Sequence, residues 1–152
     1  MTRPQWDSSR YVDDRPAQQI FRVHRDVYAD PALFELEQRY IFERSWAFLC
    51  HESQLPKAHD YIASHIGRQP VLVTRDAKGQ LRGFLNACRH RGARLCDGSG
   101  SAGRTLVCPY HAWSYRLDGA LAGTPNVADD ESLDRANLGL LSVTLDTWDG
   151  FV

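Results

Sequence analysis

Four side chains of the kind that bind transition metals fall in two pairs. Cys88 and His90 lie in "NACRHRGARLC" (86–96), and Cys108 and His111 in "CPYHAWSY" (108–115), with 17 residues between His90 and Cys108. Taken singly, a cysteine is more often a small buried hydrophobe and a histidine a core or surface residue. The chain has only four cysteines and six histidines among 152 residues, so two such pairs in neighbouring turn-rich loops point to ligation. Two chemistries stay open on these donors. Two thiolates and two imidazoles can hold structural zinc in a tetrahedron, or a [2Fe-2S] cluster with thiolates on one iron and imidazoles on the other. Short zinc fingers pair Cys with Cys and His with His; each loop here supplies one of each, which suits two inequivalent irons.

Such loops need a rigid support. From Trp46 onward short apolar or β-branched runs alternate with turn residues: "WAFLC", "DYIASHI", "PVLVT", "LRGFLNA", "RTLV", "WSYRL" and "LLSVTL". This pattern predicts many short strands in an antiparallel β-sandwich or barrel, with both ligand pairs at strand exits. Asp76-Ala77-Lys78-Gly79 predicts a hairpin loop with a left-handed glycine, and Asp118-Gly119 a tight two-residue turn. Upstream, Asp30 caps a helix that opens on Pro31, with Leu33, Phe34, Leu36, Tyr40 and Ile41 on one face up to about Arg44. Residues 1–19 are polar and proline-punctuated, an expected extended or disordered arm.

Composition narrows the functions. The chain is about one domain long, with 43% hydrophobic and 24% charged residues and a formal net charge of -1. No polybasic tract offers itself to nucleic acid, and no apolar run serves as a signal peptide or membrane span. A cytoplasmic protein is expected, in which four cysteines suggest metal or redox chemistry before disulfides. The closing "TWDGFV" reads as a strand with no polar terminator, so the chain is expected to continue into something longer.

CxH, 17 residues, then CPYH and AW resembles the Rieske motif. The whole run "NACRHRGARLC... CPYHAWSYRLDGAL" resembles the Rieske domain of aromatic-ring-hydroxylating dioxygenases. The likeness extends upstream through "IFERSWAFLCHESQLPKAHDYIASHIGRQPVLVTRDAKGQL" and covers roughly residues 26–152. In wording it is most similar to the large, or alpha, subunits of benzoate, toluate and anthranilate dioxygenases. The resemblance implies a mainly β, Rieske-type antiparallel β-sandwich with a cluster-binding pair of loops over residues 45–152, preceded by an N-terminal arm and one helix over 1–44. It implies a [2Fe-2S] cluster held by Cys88, His90, Cys108 and His111. It also implies a cluster that takes single electrons from a ferredoxin or flavin reductase and passes them to a mononuclear iron.

In that family the iron sits in a catalytic domain and is held by two histidines and a carboxylate. After His111 this chain has no histidine, so that site is not built downstream within it, and the chain is expected to transfer electrons only. Implied for the full protein are an aromatic substrate, a small beta subunit and a trimer in which the electron crosses to the neighbouring subunit, with His111 facing a bridging carboxylate. A free-standing Rieske ferredoxin and a zinc-stabilised binding module are the competing readings.

There are departures from the family pattern. Ala112 stands where glycine is usual, and "PKAHDY" lacks the glycine often found before the aspartate. Ala93 and Tyr110 hold the positions of the extra cysteines of respiratory Rieske proteins, so no disulfide is expected there. The potential should lie near the lower end of the Rieske range of roughly -150 to +300 mV, and should depend on pH because reduction makes bound imidazole more basic. Around the ligands, Arg91, Gly92, Tyr110 and Trp113 are expected as the supporting shell. Gly92 and Pro109 would shape the loops, and Trp113 and Tyr115 would shield the cluster or pack under a strand. Arg89, Arg91 and Arg94 form a basic rim that is either merely solvated or offsets cluster charge and docks an acidic partner. Cys50 and Cys96 read as structural thiols, and His24, His51, His59 and His65 as structural or exposed.

Overall fold

Residues 7–125, 127 and 134–152 are described in the computed structural model, which has two units, Met1–Ser45 and Trp46–Val152. In the first unit, residues 1–6 of the expected arm lie outside the described residues, and the remainder is a hairpin rather than a disordered segment. β1 (Val12–Arg15) pairs antiparallel with β2 (Ile20–Val23). Pro16 opens a 3₁₀ turn, and Gln19 reverses the chain at φ 53°, its amide donating to the Pro16 carbonyl at 3.0 Å. A left-handed glutamine carries none of the Asn-Gly or Asp-Gly signal that marks hairpins in a sequence.

Two helices follow, α1 (Asp26–Ala29) and α2 (Pro31–Glu37). Asp30 caps α2 as its type predicts, its carboxylate accepting the Ala32 amide at 2.8 Å. The helix expected to reach residue 44 ends at Glu37. Gln38–Phe42 widen into a π turn, with the Glu43 amide on the Gln38 carbonyl at 2.9 Å. Gln38 is buried there, whereas Phe34, Ile41 and Phe42 of the expected apolar face and its end are exposed.

The second unit carries two antiparallel sheets. The strands are β3 (Asp60–Ile66), β4 (Gln69–Arg75), β5 (Leu81–Leu85), β6 (Ser99–Ser101), β7 (Thr105–Val107), β8 (Ser114–Arg116), β9 (Leu121–Gly123) and β10 (Ser142–Val143). The larger sheet runs β10-β5-β4-β3-β6 and the smaller β7-β8-β9. β4 explains why both faces of the larger sheet are covered. Its Val71, Leu72, Val73 and Thr74 are all buried, and consecutive side chains point to opposite faces. Leu72 joins a core with Phe84, Cys88, Leu106, Cys108, Trp113, Tyr115 and Leu117. Val73 joins another with Cys50, Leu55, Ile62 and Val152. The first core lies beneath the ligand loops, so the packing that stabilises the fold also seats them.

Two hairpin loops share one construction. In Asp76–Gln80 and in Arg116–Ala120 the first amide donates to the fifth carbonyl and the fourth amide to the first carbonyl, with glycine left-handed at the fourth position (Gly79 φ 78°, Gly119 φ 88°). The turn at Asp118-Gly119 therefore has three loop residues, not the two expected. Burial alone would raise the pKa of Asp76, but the Gln80 amide, Arg82 and the Lys78 amide outweigh it and hold the carboxyl below its ordinary value. "WAFLC" forms no strand; instead the Leu49 amide donates to the Val152 carbonyl at 2.8 Å and the Val152 amide to the Cys50 carbonyl at 2.9 Å. Among the described residues no helix is long and apolar enough to cross a membrane.

The smaller sheet is fastened to the larger by the buried Thr74 hydroxyl, which donates to the Leu117 carbonyl at 2.7 Å, and by Phe84 packed under Gly119. A methyl group on Gly119 would come within 2.7 Å of Phe84 Cζ at a backbone angle that already disfavours side chains. Gly119→Ala is therefore expected to cost about 2–4 kcal/mol, read as a lower denaturant midpoint at unchanged slope. A midpoint equal to that of the wild type contradicts this packing.

Candidate metal centre

The two ligand loops have the same backbone. In Cys88–Ala93 and in Cys108–Trp113 the cysteine amide donates to the carbonyl five residues on, at 2.8 Å in both. The fifth residue's amide donates back to the cysteine carbonyl, Gly92 to Cys88 at 2.8 Å and Ala112 to Cys108 at 3.0 Å. That fifth residue is left-handed in each, Gly92 at φ 70° and Ala112 at φ 57°. The loops differ in where the histidine sits, third in the first loop and fourth in the second. Each leaves a strand end, β5 and β7, as the sequence pattern predicts.

This turn buries the thiols and leaves the imidazoles at the rim. Cys88 and Cys108 are each 3% exposed, and His90 and His111 are half-buried. The imidazole centroids stand 4.7 Å apart. Nδ1 of His90 and Nδ1 of His111 are both buried without a hydrogen-bond partner. A buried, unpaired ring nitrogen is costly unless something binds it, and both rings carry the same vacancy on the same atom. Partial burial, and then the neighbouring His111 and Arg91, push His90 below its ordinary value, which favours the neutral ring that binds metal.

Aromatic rings flank both histidines. The Trp113 indole, from the second loop, stacks on His90 of the first at 4.8 Å and 7°. Tyr110 lies over His111 at 3.8 Å. Trp113, His90, His111 and Tyr110 thus form a row of touching rings from a buried indole to an exposed phenol. Tyr115 does more than pack under a strand. Fully buried, its hydroxyl stands 3.2 Å from Cys88 Sγ and accepts the Arg89 amide at 3.0 Å. Burial, followed by the hydrogen bond to Cys88, pushes its pKa well up, so the phenol keeps its proton and can donate it to a deprotonated Cys88 sulfur. The only sequence signal for this was an aromatic residue four positions after His111.

The remaining candidates disperse. Cys50 is buried and its thiol pKa is raised by that burial; Cys96 is pushed up to about 11 by burial and then by Asp97. All four cysteines are free. His51 caps a 3₁₀ turn, His24 faces Asp26, His65 is exposed, and His59 takes φ 75°, a left-handed angle at the residue before Asp60. In the basic rim, Arg94 pairs with Asp97 at 2.9 Å and Arg89 reaches the Asn137 carbonyl at 3.5 Å. Arg91 is exposed. Among the described residues no three His, Cys, Asp or Glu side chains are placed to hold one metal ion.

Known proteins resemble this chain. The model of the Rieske [2Fe-2S] domain matches residues 45–143. The chain is 40% identical over 142 residues to the anthranilate 1,2-dioxygenase large subunit of Acinetobacter baylyi, across 93% of this chain and 30% of that protein. It is 38% identical over 125 residues to the carnitine monooxygenase oxygenase subunit of Acinetobacter pittii, across 82% of this chain and 34% of that one. The crystal structure of naphthalene 1,2-dioxygenase from Rhodococcus sp. superposes with a TM-score of 0.78 at 35% identity, covering 85% of this chain and 30% of that one. The chain spans about a third of the length of the curated relatives it matches.

The matched turns give a paired prediction. A methyl group on Gly92 meets nothing within 4 Å, so Gly92→Ala isolates the backbone cost and should destabilise by about 1 kcal/mol. Ala112→Gly relieves the same strain and should stabilise by about 0.5–1 kcal/mol, net of the entropy glycine adds to the unfolded chain. Thermal melts of the two variants check the pair; shifts of the same sign contradict the shared geometry.

Proposed function

Because the chain belongs to the Rieske [2Fe-2S] domain family, we propose that Cys88 and Cys108 hold one iron of its cluster and His90 and His111 the other. We further propose that residues 45–152 serve as the electron-transfer domain, preceded by residues 1–44, in the oxygenase component of an aromatic-ring-hydroxylating dioxygenase. The observation that carries this reading is the pair of like-built loops presenting two buried thiols and two imidazoles with unpaired Nδ1 atoms. When bound, the cluster supplies a one-electron acceptor and donor at fixed geometry.

The chain's own residues set the conditions for that chemistry. As cluster ligands Cys88 and Cys108 would place two thiolates in a buried pocket, where low polarity makes each nearby dipole count for more. The Tyr115 hydroxyl offers one such dipole to Cys88, and the exposed guanidinium of Arg91 places positive charge beside the imidazoles. Trp113 and Tyr110 cover the histidine faces and keep bulk water from them.

The kinship with an anthranilate dioxygenase large subunit supports an aromatic acid or hydrocarbon as the substrate of the whole protein. Oxygen activation then belongs to a mononuclear iron domain outside this chain. The same kinship supports, as part of this proposal, a cytoplasmic oxygenase fed by a ferredoxin or flavin reductase and assembled as a trimer with a small beta subunit.

Iron and sulfide analysis with electron paramagnetic resonance of the dithionite-reduced protein tests the centre. We expect about two irons and two sulfides per chain and a rhombic signal; a colourless, zinc-filled, silent protein overturns the reading. Tyr115→Phe removes a donor that favours the more negative, reduced state. A net loss of about 1 kcal/mol corresponds to a midpoint lower by roughly 45 mV for one electron. An unchanged or higher midpoint contradicts the donor role of the phenol.

A further inference from the structure

The two ligand loops share a turn but are closed differently at the base. The second is flanked by a strand pair, Val107 of β7 opposite Ser114 of β8, so backbone ladder bonds hold its two ends together. The first has no such pair: β5 ends at Leu85, and residues 93–97 on the returning side belong to no strand. In place of the ladder stands one side chain. Asn86, 2% exposed, sends Nδ2 to the Cys96 carbonyl at 2.8 Å, while its Oδ1 accepts the Leu95 amide at 3.0 Å and the Cys96 amide at 3.3 Å. Its own amide donates to the Pro70 carbonyl of β4 at 3.0 Å, so the residue that clasps the loop is itself fixed to the central strands.

We propose that Asn86 is a positioning residue for the cluster. By doing with a carboxamide what a strand pair does for the second loop, it holds Cys88 and His90 in register with Cys108 and His111. A carboxamide meets this need because it offers a donor and an acceptor in one plane, as a peptide group does, and so substitutes for a ladder unit. Aspartate and leucine match its shape but lack, respectively, the donor and both polar groups. The inference rests on the assignment of those four residues as ligands.

The test compares the 152-residue wild type with Asn86→Ala and with Thr74→Val, which removes another buried hydrogen bond of the same unit away from the first loop. With cluster bound, the iron-loss rate to a chelator is followed by absorbance. Without cluster, amide hydrogen exchange is read at Cys88, Gly92, Leu95 and Cys96 and, in the other loop, at Cys108 and Ala112. We expect Asn86→Ala to lose iron about tenfold faster or more, and to speed exchange in the first loop by a similar factor with the second loop near wild type. Thr74→Val should speed neither loop selectively. Equal acceleration of both loops, or iron loss at the wild-type rate, overturns the positioning role and leaves the ligand assignment standing. A wild-type chain that holds no iron and sulfide overturns the ligand assignment, and this inference with it.

Discussion

The hydroxyl of Tyr115 is where the two ligand loops meet. It comes from β8, just beyond the second loop, and touches the Cys88 sulfur and the Arg89 amide of the first. A phenol can reach that place only if its ring is wholly buried, and the core around Leu72, Phe84, Leu106 and Leu117 is arranged to bury it. Burying side chains of this size contributes roughly 2–3 kcal/mol each. The distance between the loops is thus set by close packing, which resists change at the scale of a methyl group. The sheets, the Thr74 tie and the contact of Phe84 with Gly119 all serve that spacing.

Electrostatics follow from the same burial. Thiols inside and imidazoles at the rim give the centre a polar outer edge and an apolar floor. The row of rings from Trp113 to Tyr110 extends that edge to the surface. Partial burial, and then nearby positive charge, lower the pKa of His90 and so favour the neutral ring that binds metal. The loops also record a compromise: the left-handed position that Gly92 fills without strain in the first is filled by alanine in the second.

Much of this was legible in the residues. The ligand spacing, the turn residues at Asp76–Gly79 and the short run "DYIASHI" that becomes β3 appear in the sequence because each is a local requirement. What stayed hidden depends on partners distant in the chain. Nothing in the letters around Gln19 announces a hairpin, because its left-handed turn is imposed without a glycine. The helix after Pro31 looks continuous to residue 44, yet a π turn brings Gln38 inward. "WAFLC" has strand composition, but its partner is the segment ending in Val152 and pairs only briefly. Asn86 falls in the expected strand run "LRGFLNA", and only its three bonds to residues 95 and 96 mark it out. Tyr115 is one aromatic among many until its hydroxyl is found against Cys88.

The proposed ligand set requires that one iron carry two imidazoles, one from each loop. Pulsed electron-nuclear double resonance on the reduced protein, with histidine labelled at its ring nitrogens, measures this directly. Two strongly coupled nitrogens of unequal coupling are expected, one lost with replacement of His90 and the other with replacement of His111. A single coupled nitrogen, or a cluster signal with none, would contradict it.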